Sequence, residues 1–236
     1  MTKKAIKPKP KAKPNARAKS LAQAVLAPPR DPLATFEALV QTQQAADKPW
    51  QPVTDYSADA RRLADEPQVP LIVQAFAPTR ILDAGCGAGH LVRLLCEAGL
   101  DAVGCDVTRS PAWLDAPRFG AADVANPNSV QPFTGAFDLV ICREVLEHLT
   151  IRQIRQAVTN LCHWTTHYVY LTTRFHPAPT HLLDVATSDD LDPTHISMLN
   201  QDFLRTLFVL EGLTRRADLE LIMDWKTLGR VLVYAR

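Results

Sequence analysis

The sequence predicts an α/β protein whose centre is a mostly parallel sheet covered by helices on both faces. Three features predict it. From Arg80 onward, short apolar runs alternate with runs of helical period. The first of these runs opens into a glycine-rich turn, Gly85-Cys86-Gly87-Ala88-Gly89. Acidic residues then close three successive strand segments, at Asp83, Asp106 and Asp123. Strands that read as unbroken apolar stretches are those buried on both faces, as parallel sheets are.

The elements follow in order. Residues 1–30 alternate Lys with Pro and Ala and hold nine of the 26 Lys and Arg but none of the 25 Asp and Glu. The rest of the chain therefore carries 17 basic against 25 acidic residues, a net of −8, which the overall +1 conceals. Pro8, Pro10 and Pro14 break any helix there and the like charges repel, so a disordered basic tail is expected. Three readings of the tail stand side by side: a solubilising appendage, an electrostatic handle for nucleic acid or anionic membrane, and a transit segment, although a Lys- and Pro-rich composition fits the last poorly. Residues 31–78 read as a helical lead-in, with Phe36, Leu39 and Val40 at helical spacing, a break at Lys48-Pro49-Trp50-Gln51-Pro52, and a second helix from about Ser57 to Phe76.

Residues 79–236 form the main domain. Arg80–Ala84 is a strand, followed by a helix from His90; a second strand ends at Asp106, a third, FGAADV, near Asp123, and a fourth, FDLVICRE, leads into a helix expected to start at Val145. HYVYLTT is a fifth strand. After a loop of about 25 residues from Arg174 to Met198, NQDFLRTLFVLEG is a helix closed by Gly212, and DLELIMDW and GRVLVYAR read as a terminal strand pair.

Composition limits the function classes. The chain has 236 residues, 47% hydrophobic and 22% charged, enough for one domain with its own core. With no run of 18 apolar residues and no cleavable leader, a transmembrane segment and secretion are not expected. Five cysteines, none in a C-x-x-C pair, exclude a disulfide scaffold and a cysteine zinc module, and fit a cytoplasmic protein.

The glycine turn is the most informative segment. Glycines after a strand let the backbone approach a ligand, and the helix that follows presents unpaired N–H groups. His90 stands where a dinucleotide-binding fingerprint has its third glycine, and Gly-Lys-Ser/Thr is absent, so neither a dinucleotide nor a phosphate loop is favoured. Asp83, ahead of the glycines, repels a pyrophosphate but suits a ligand with an ammonium group. Asp106, 23 residues on, is placed to accept both hydroxyls of a ribose, and Asp123 an exocyclic amine of adenine.

With these motifs in this order, DAGCGAG, GCDVT, AADVAN and FDLVICREVLEHL, residues 79–236 resemble the class I S-adenosylmethionine-dependent methyltransferases. The resemblance implies a Rossmann-like seven-stranded sheet of order 3-2-1-4-5-7-6 with strand 7 antiparallel, and S-adenosylmethionine as cofactor. It implies that Asp83, Gly85, Gly87 and Gly89 surround the methionine part, that Asp106 holds the ribose, that Asp123 with the Val124 backbone reads the adenine, and that Cys86, Val107 and Arg143 also belong to the cofactor-binding set. His90 departs mildly from the family pattern.

Glu144, Glu147 and His148 follow the fourth strand, and on a helix all three share a face. Such a set can fix the helix start, serve in proton transfer, or bind a divalent metal. The segment resembles that of ubiquinone-biosynthesis O-methyltransferases, and also the E-x-x-E-H of small-RNA 3′-terminal 2′-O-methyltransferases, where a later His completes a metal site. His195 is the residue here that would do so, ahead of His176 and His181, although the RNA family's aromatic-rich segment is missing. His148 and His195 are the candidate catalytic bases, His195 having a second reading as a loop anchor bonded to Asp192. The loop 174–198 is the expected acceptor lid, with Trp50, Tyr56, Phe175 and His195 as candidate lining. The expected activity is methyl transfer to an oxygen of a small-molecule acceptor. The alternatives are a metal-dependent RNA 2′-O-methyltransferase that uses the tail for nucleic acid, and a catalytically silent cofactor-binding subunit.

Overall fold

A computed structural model describes residues 65–111, 113, 118–130, 137–175, 183–184 and 194–236. The tail 1–30, the lead-in up to residue 64 with Trp50 and Tyr56, and His176, His181 and Asp192 lie outside the described residues.

Nine strands are described: β1 (Arg80–Ala84), β2 (Asp101–Asp106), β3 (Phe119–Ala121), β4 (Phe137–Arg143), β5 (Thr165–Thr172), β6 (Leu183–Asp184), β7 (Met198–Leu199), β8 (Thr214–Arg215) and β9 (Val231–Ala235). Five α-helices join them: α1 (Gln68–Phe76), α2 (His90–Glu97), α3 (Ile151–Trp164), α4 (Gln201–Leu210) and α5 (Ala217–Met223). Seven strands make the central sheet, in the order β3-β2-β1-β4-β5-β9-β8. The first five run parallel, and β9 is antiparallel to both β5 and β8. Counting β8 and β9 as the sixth and seventh strands, this is the predicted order with strand 7 reversed. β6 and β7 pair separately, so the end of the long loop is tied back to its own middle.

Alternation along each strand supplies two cores. Leu82, Val140, Cys142, Leu171 and Leu232 face α3 and α4, where Ile154, Val158, Leu161, Leu204 and Phe208 meet them. Ile81, Leu139, Ile141, Tyr170 and Val233 face the other way, onto α1, α2 and α5 through Ile72, Phe76, Leu91, Leu95, Leu219 and Met223. At the N-terminal edge, Asp138 accepts from Thr79 N and Oγ1 and from Arg80 N, which pins β4 against β1. No described helix is long and apolar enough to cross a membrane.

Four expectations need correction. DLELIMDW is not a strand: Ala217–Met223 is α5, and the strand pairing with β9 is the two-residue β8. Leu219 and Met223, four apart, bury together while Leu221 is left in solvent, which is helical and not alternating order. The third strand stops at Ala121, so Asp123 sits two residues beyond it. The helix after β4 does not begin at Val145. Leu146–His148 is one 3-10 turn, and α3 starts only after Thr150, whose hydroxyl accepts from Gln153 N while Gln153 Oε1 accepts from Thr150 N. Finally, the described helix of the lead-in begins at Gln68, and residues 57–64 lie outside the described residues.

Candidate functional site

The sheet order reverses between β1 and β4, each of which runs parallel to the other. Crevices at such a reversal open at the carboxyl ends of the strands. The register carries the motif residues there. Asp83 pairs with Gly104 and Ala84 with Cys105, so β1 and β2 finish together, and Asp106 pairs with Ala121.

The glycine turn is built from these ends. Gly85 N and Cys86 N both donate to Cys105 O, folding the turn over β2. Gly85, Gly87 and Gly89 have φ of 84°, 52° and 77°. At Gly85 a Cβ would lie 2.3 Å from Val145 Cγ2, so only glycine lets β1 and the exit of β4 close this tightly. At Gly87 no group among the described residues lies within 4 Å of the same position.

Asp106 is buried, and each of its oxygens holds a backbone N–H: Oδ2 accepts from Gly87 at 2.9 Å and Oδ1 from Thr108 at 3.1 Å. Burial raises its pKa, against the lowering effect of the Thr108, Gly87 and Val107 amides. A carboxylate offers about four acceptor positions, so with these amides in place capacity remains for a ligand hydroxyl. Val107 beside it is 46% exposed. Asp83 is buried at the end of β1. Burial, then the Asp83 and Asp106 carboxylates, push the Cys86 thiol well up, which makes Cys86 a neutral packing group and no nucleophile. Asp123 follows Ala122, whose N–H donates to Asp106 O, and its Oδ1 accepts from Ala125 N at 2.8 Å.

Arg143, expected beside the cofactor, is paired with Asp65. Both its terminal nitrogens lie 3.0 Å from Asp65 Oδ1, ahead of α1. Burial alone would lower its pKa; the Asp65 carboxylate and then Asp83 outweigh that and hold the guanidinium charged. Gln68, near Asp65, accepts from the Tyr170 hydroxyl, so this buried network ties the start of α1 to β4 and β5.

The E-x-x-E-H residues are not one helix face. Glu144 has φ 53° and its N–H donates to Thr172 O, while Glu147 and His148 belong to the 3-10 turn. Glu147 is 0% exposed; its Oε2 accepts from Thr173 Oγ1 at 2.8 Å, and no donor among the described residues reaches Oε1. Burial and then the neighbouring Glu144 carboxylate raise its pKa towards about 8. His148 Nδ1 lies 3.1 Å from Thr194 O and 2.9 Å from Thr194 Oγ1, and its ring is 4.8 Å from that of buried His195. Ile196 and Ser197 N–H both donate to Glu147 O, and Ser197 Oγ to Leu149 O. The two histidines thus meet beyond the carboxyl end of β4, while Glu147 turns to Thr173. Among the described residues no three metal-ligating side chains converge. Phe175, expected to line the lid, forms a bridge to Leu199 and packs on the core under α4.

Three supporting residues escape a reading of the sequence. Trp113 donates its indole N–H to Gly87 O at 2.9 Å and stacks on Phe119. Thr173 holds Glu147. Asn160 holds the loop after β3 through Val124 O and Asn126 O. Asn160 alone left a signal, as a polar residue among Ala157, Val158 and Leu161 on the buried side of α3.

Comparison with known proteins agrees with this fold. A family model described as a methyltransferase domain matches residues 55–216. A ubiquinone biosynthesis O-methyltransferase of Pseudomonas aeruginosa is 27% identical over 124 residues, covering 50% of this chain and 51% of that protein. One from Pectobacterium carotovorum is 35% identical over 77 residues, covering 30% and 32%. The chain spans about half the length of the first of these curated relatives. Among solved structures, a Burkholderia thailandensis 1,6-didemethyltoxoflavin-N1-methyltransferase bound to S-adenosylhomocysteine aligns with TM-score 0.56 at 15% identity, covering 89% of this chain and 92% of that one. Magnesium protoporphyrin IX methyltransferase from Synechocystis aligns with TM-score 0.54 at 19% identity, covering 84% and 93%. At these identities the structures share the fold.

Proposed function

The chain belongs to the methyltransferase-domain family, and from that premise we propose that it transfers the methyl group of S-adenosylmethionine to an oxygen of a small-molecule acceptor. One observation carries the cofactor reading: the Asp106 carboxylate stands at the carboxyl end of β2, one strand from the reversal of the sheet order, fastened to the glycine turn, with open space at Gly87 and the half-exposed Val107 beside it. The residues fit the cofactor part by part. Asp106 accepts from the ribose diol, Asp83 faces the ammonium end, and Asp123 with the Val124 backbone meets the adenine. Val107 offers an apolar surface to the base. Arg143 acts at one remove, by fixing Asp65 over the end of β4.

The sulfonium of the cofactor supplies an already activated methyl group. What remains for the protein is orientation and the acceptor's proton. In the tautomer that donates from Nδ1 to the Thr194 carbonyl oxygen, 3.1 Å away, His148 takes the acceptor's proton at Nε2. His195, packed against that ring, holds its angle. The oxygen acceptor is supported by the names of the curated relatives, which are O-methyltransferases. Five free thiols suit work in the cytoplasm.

The test is incubation with S-adenosylmethionine labelled in its methyl group and a cell extract, followed by fractionation. Label in a small-molecule fraction, released by treatments that cleave O-methyl groups, is the expected result. Label in RNA or protein, or none above a His148→Ala control, would sink the reading.

A further inference from the structure

Resting on that cofactor reading, we infer that Asn160, on the far side of the sheet from the glycine turn's helix, is the positioning residue that makes the site select adenine. Asn160 is 0% exposed. Its side-chain amide donates to Val124 O at 2.8 Å and to Asn126 O at 2.9 Å, and its Oδ1 accepts from Gln156 Nε2 at 3.0 Å. Ala157, Val158 and Leu161 around it on α3 are fully buried. An amide in such surroundings is costly unless its hydrogen bonds are made, and an apolar residue would fill the place without that cost. What the amide achieves is to hold two carbonyls of the loop after β3.

The hold reaches Asp123 through one rigid unit. The Val124–Ala125 peptide is planar and trans, so its C=O and N–H point in opposite directions. Asn160 takes the C=O; the N–H, facing away from α3, donates to Asp123 Oδ1 at 2.8 Å. A second bond, from Asn126 N to Asp123 O, closes the turn around it. Asn160 thereby sets where the Asp123 carboxylate lies without approaching the cofactor. A carboxylate at that place accepts from the 6-amino group of adenine and is repelled by the 6-oxo group of hypoxanthine, so the position of Asp123 governs the choice between the two bases.

The experiment is titration calorimetry of the full chain with S-adenosylhomocysteine and with S-inosylhomocysteine, whose base is hypoxanthine. The parent is expected to prefer the adenine compound by about tenfold or more, the scale of one charge-assisted hydrogen bond gained or lost. Asn160→Leu should cut that ratio to about threefold or less, Asp123→Asn should do the same, and the double variant should lose nothing further. Melting curves identify a folded Asn160→Leu; if it does not fold, Asn160→Ser, which can hold only one of the two carbonyls, is read by the same ratio. A folded Asn160 variant with the parental ratio overturns the inference, as does additive loss in the double variant. A parent that binds neither compound overturns the cofactor reading instead, and the inference with it.

Discussion

Gly85 and Gly87 lie two residues apart in the same turn, and methyl groups added to them are expected to do different damage. At Gly85, φ is 84° and the new Cβ would meet Val145 Cγ2 at 2.3 Å. The left-handed conformation costs an L-residue roughly 1–2 kcal/mol, and overpacking of a closed contact roughly 1–3 kcal/mol more. Gly85→Ala should therefore lose about 2–5 kcal/mol of stability. Once Val145 is cut back to Ala, the nearest atom is Val145 Cβ at 3.5 Å, an ordinary contact. The double variant should then recover the overpacking part, a favourable coupling of about 1–3 kcal/mol. At Gly87, with φ 52° and nothing described within 4 Å, only the strain of about 1 kcal/mol applies to folding. Here the methyl would stand in the crevice, and affinity for S-adenosylhomocysteine should fall about tenfold or more. Urea denaturation at constant m-value measures the first set and titration calorimetry the second. Additive losses at Gly85 and Val145 would refute the packing argument. Parental affinity in Gly87→Ala would show that this side of the turn does not face the cofactor.

Further outcomes follow from the same geometry. Asp106→Ala removes the acceptor of Gly87 and Thr108 N–H and the one proposed for the ribose, and should weaken S-adenosylhomocysteine binding by roughly 1.5–3 kcal/mol, with calorimetry that finds equal affinities refuting its assignment. Burial and then Glu144 raise the pKa of Glu147, so the folded state binds a proton that the unfolded state has already released; stability should decline as pH rises from the ordinary glutamate range towards neutrality, by about 1–3 kcal/mol. Glu147→Gln should flatten that slope, and parallel pH profiles for the two proteins would contradict the cause given. Methyl transfer should persist in excess chelator, since His148 is bonded to Thr194 and Glu147 to Thr173; loss of activity reversed by Mn²⁺ would instead favour the metal-dependent RNA alternative.

Much of the fold was legible because period and punctuation are local. The apolar runs of β1, β4 and β5, the glycine turn, and the places of Asp83 and Asp106 at the ends of β1 and β2 are set within a few residues of chain. Gly212 closes α4 as its position suggests, with φ 83°. The errors fall where two local readings compete and a distant partner decides. DLELIMDW supports alternation as well as helix until Leu219 and Met223 find the face of the sheet that also receives α1. The E-x-x-E-H segment has helical spacing, yet Glu144 is held by Thr172, Glu147 by Thr173 and His148 by Thr194, so helix formation is delayed to the capping box at Thr150. The pairing of Arg143 with Asp65, 78 positions away in sequence, was beyond any local signal. Asn160 showed locally only as a polar residue on the buried side of α3, while its two carbonyl partners belong to a loop more than 30 residues earlier. Sequence alone determined which residues carry charge and where the backbone turns, since both are properties of a few neighbouring residues. Which buried polar groups meet was decided only by the tertiary packing, because desolvation makes each of them take a partner wherever the fold supplies one.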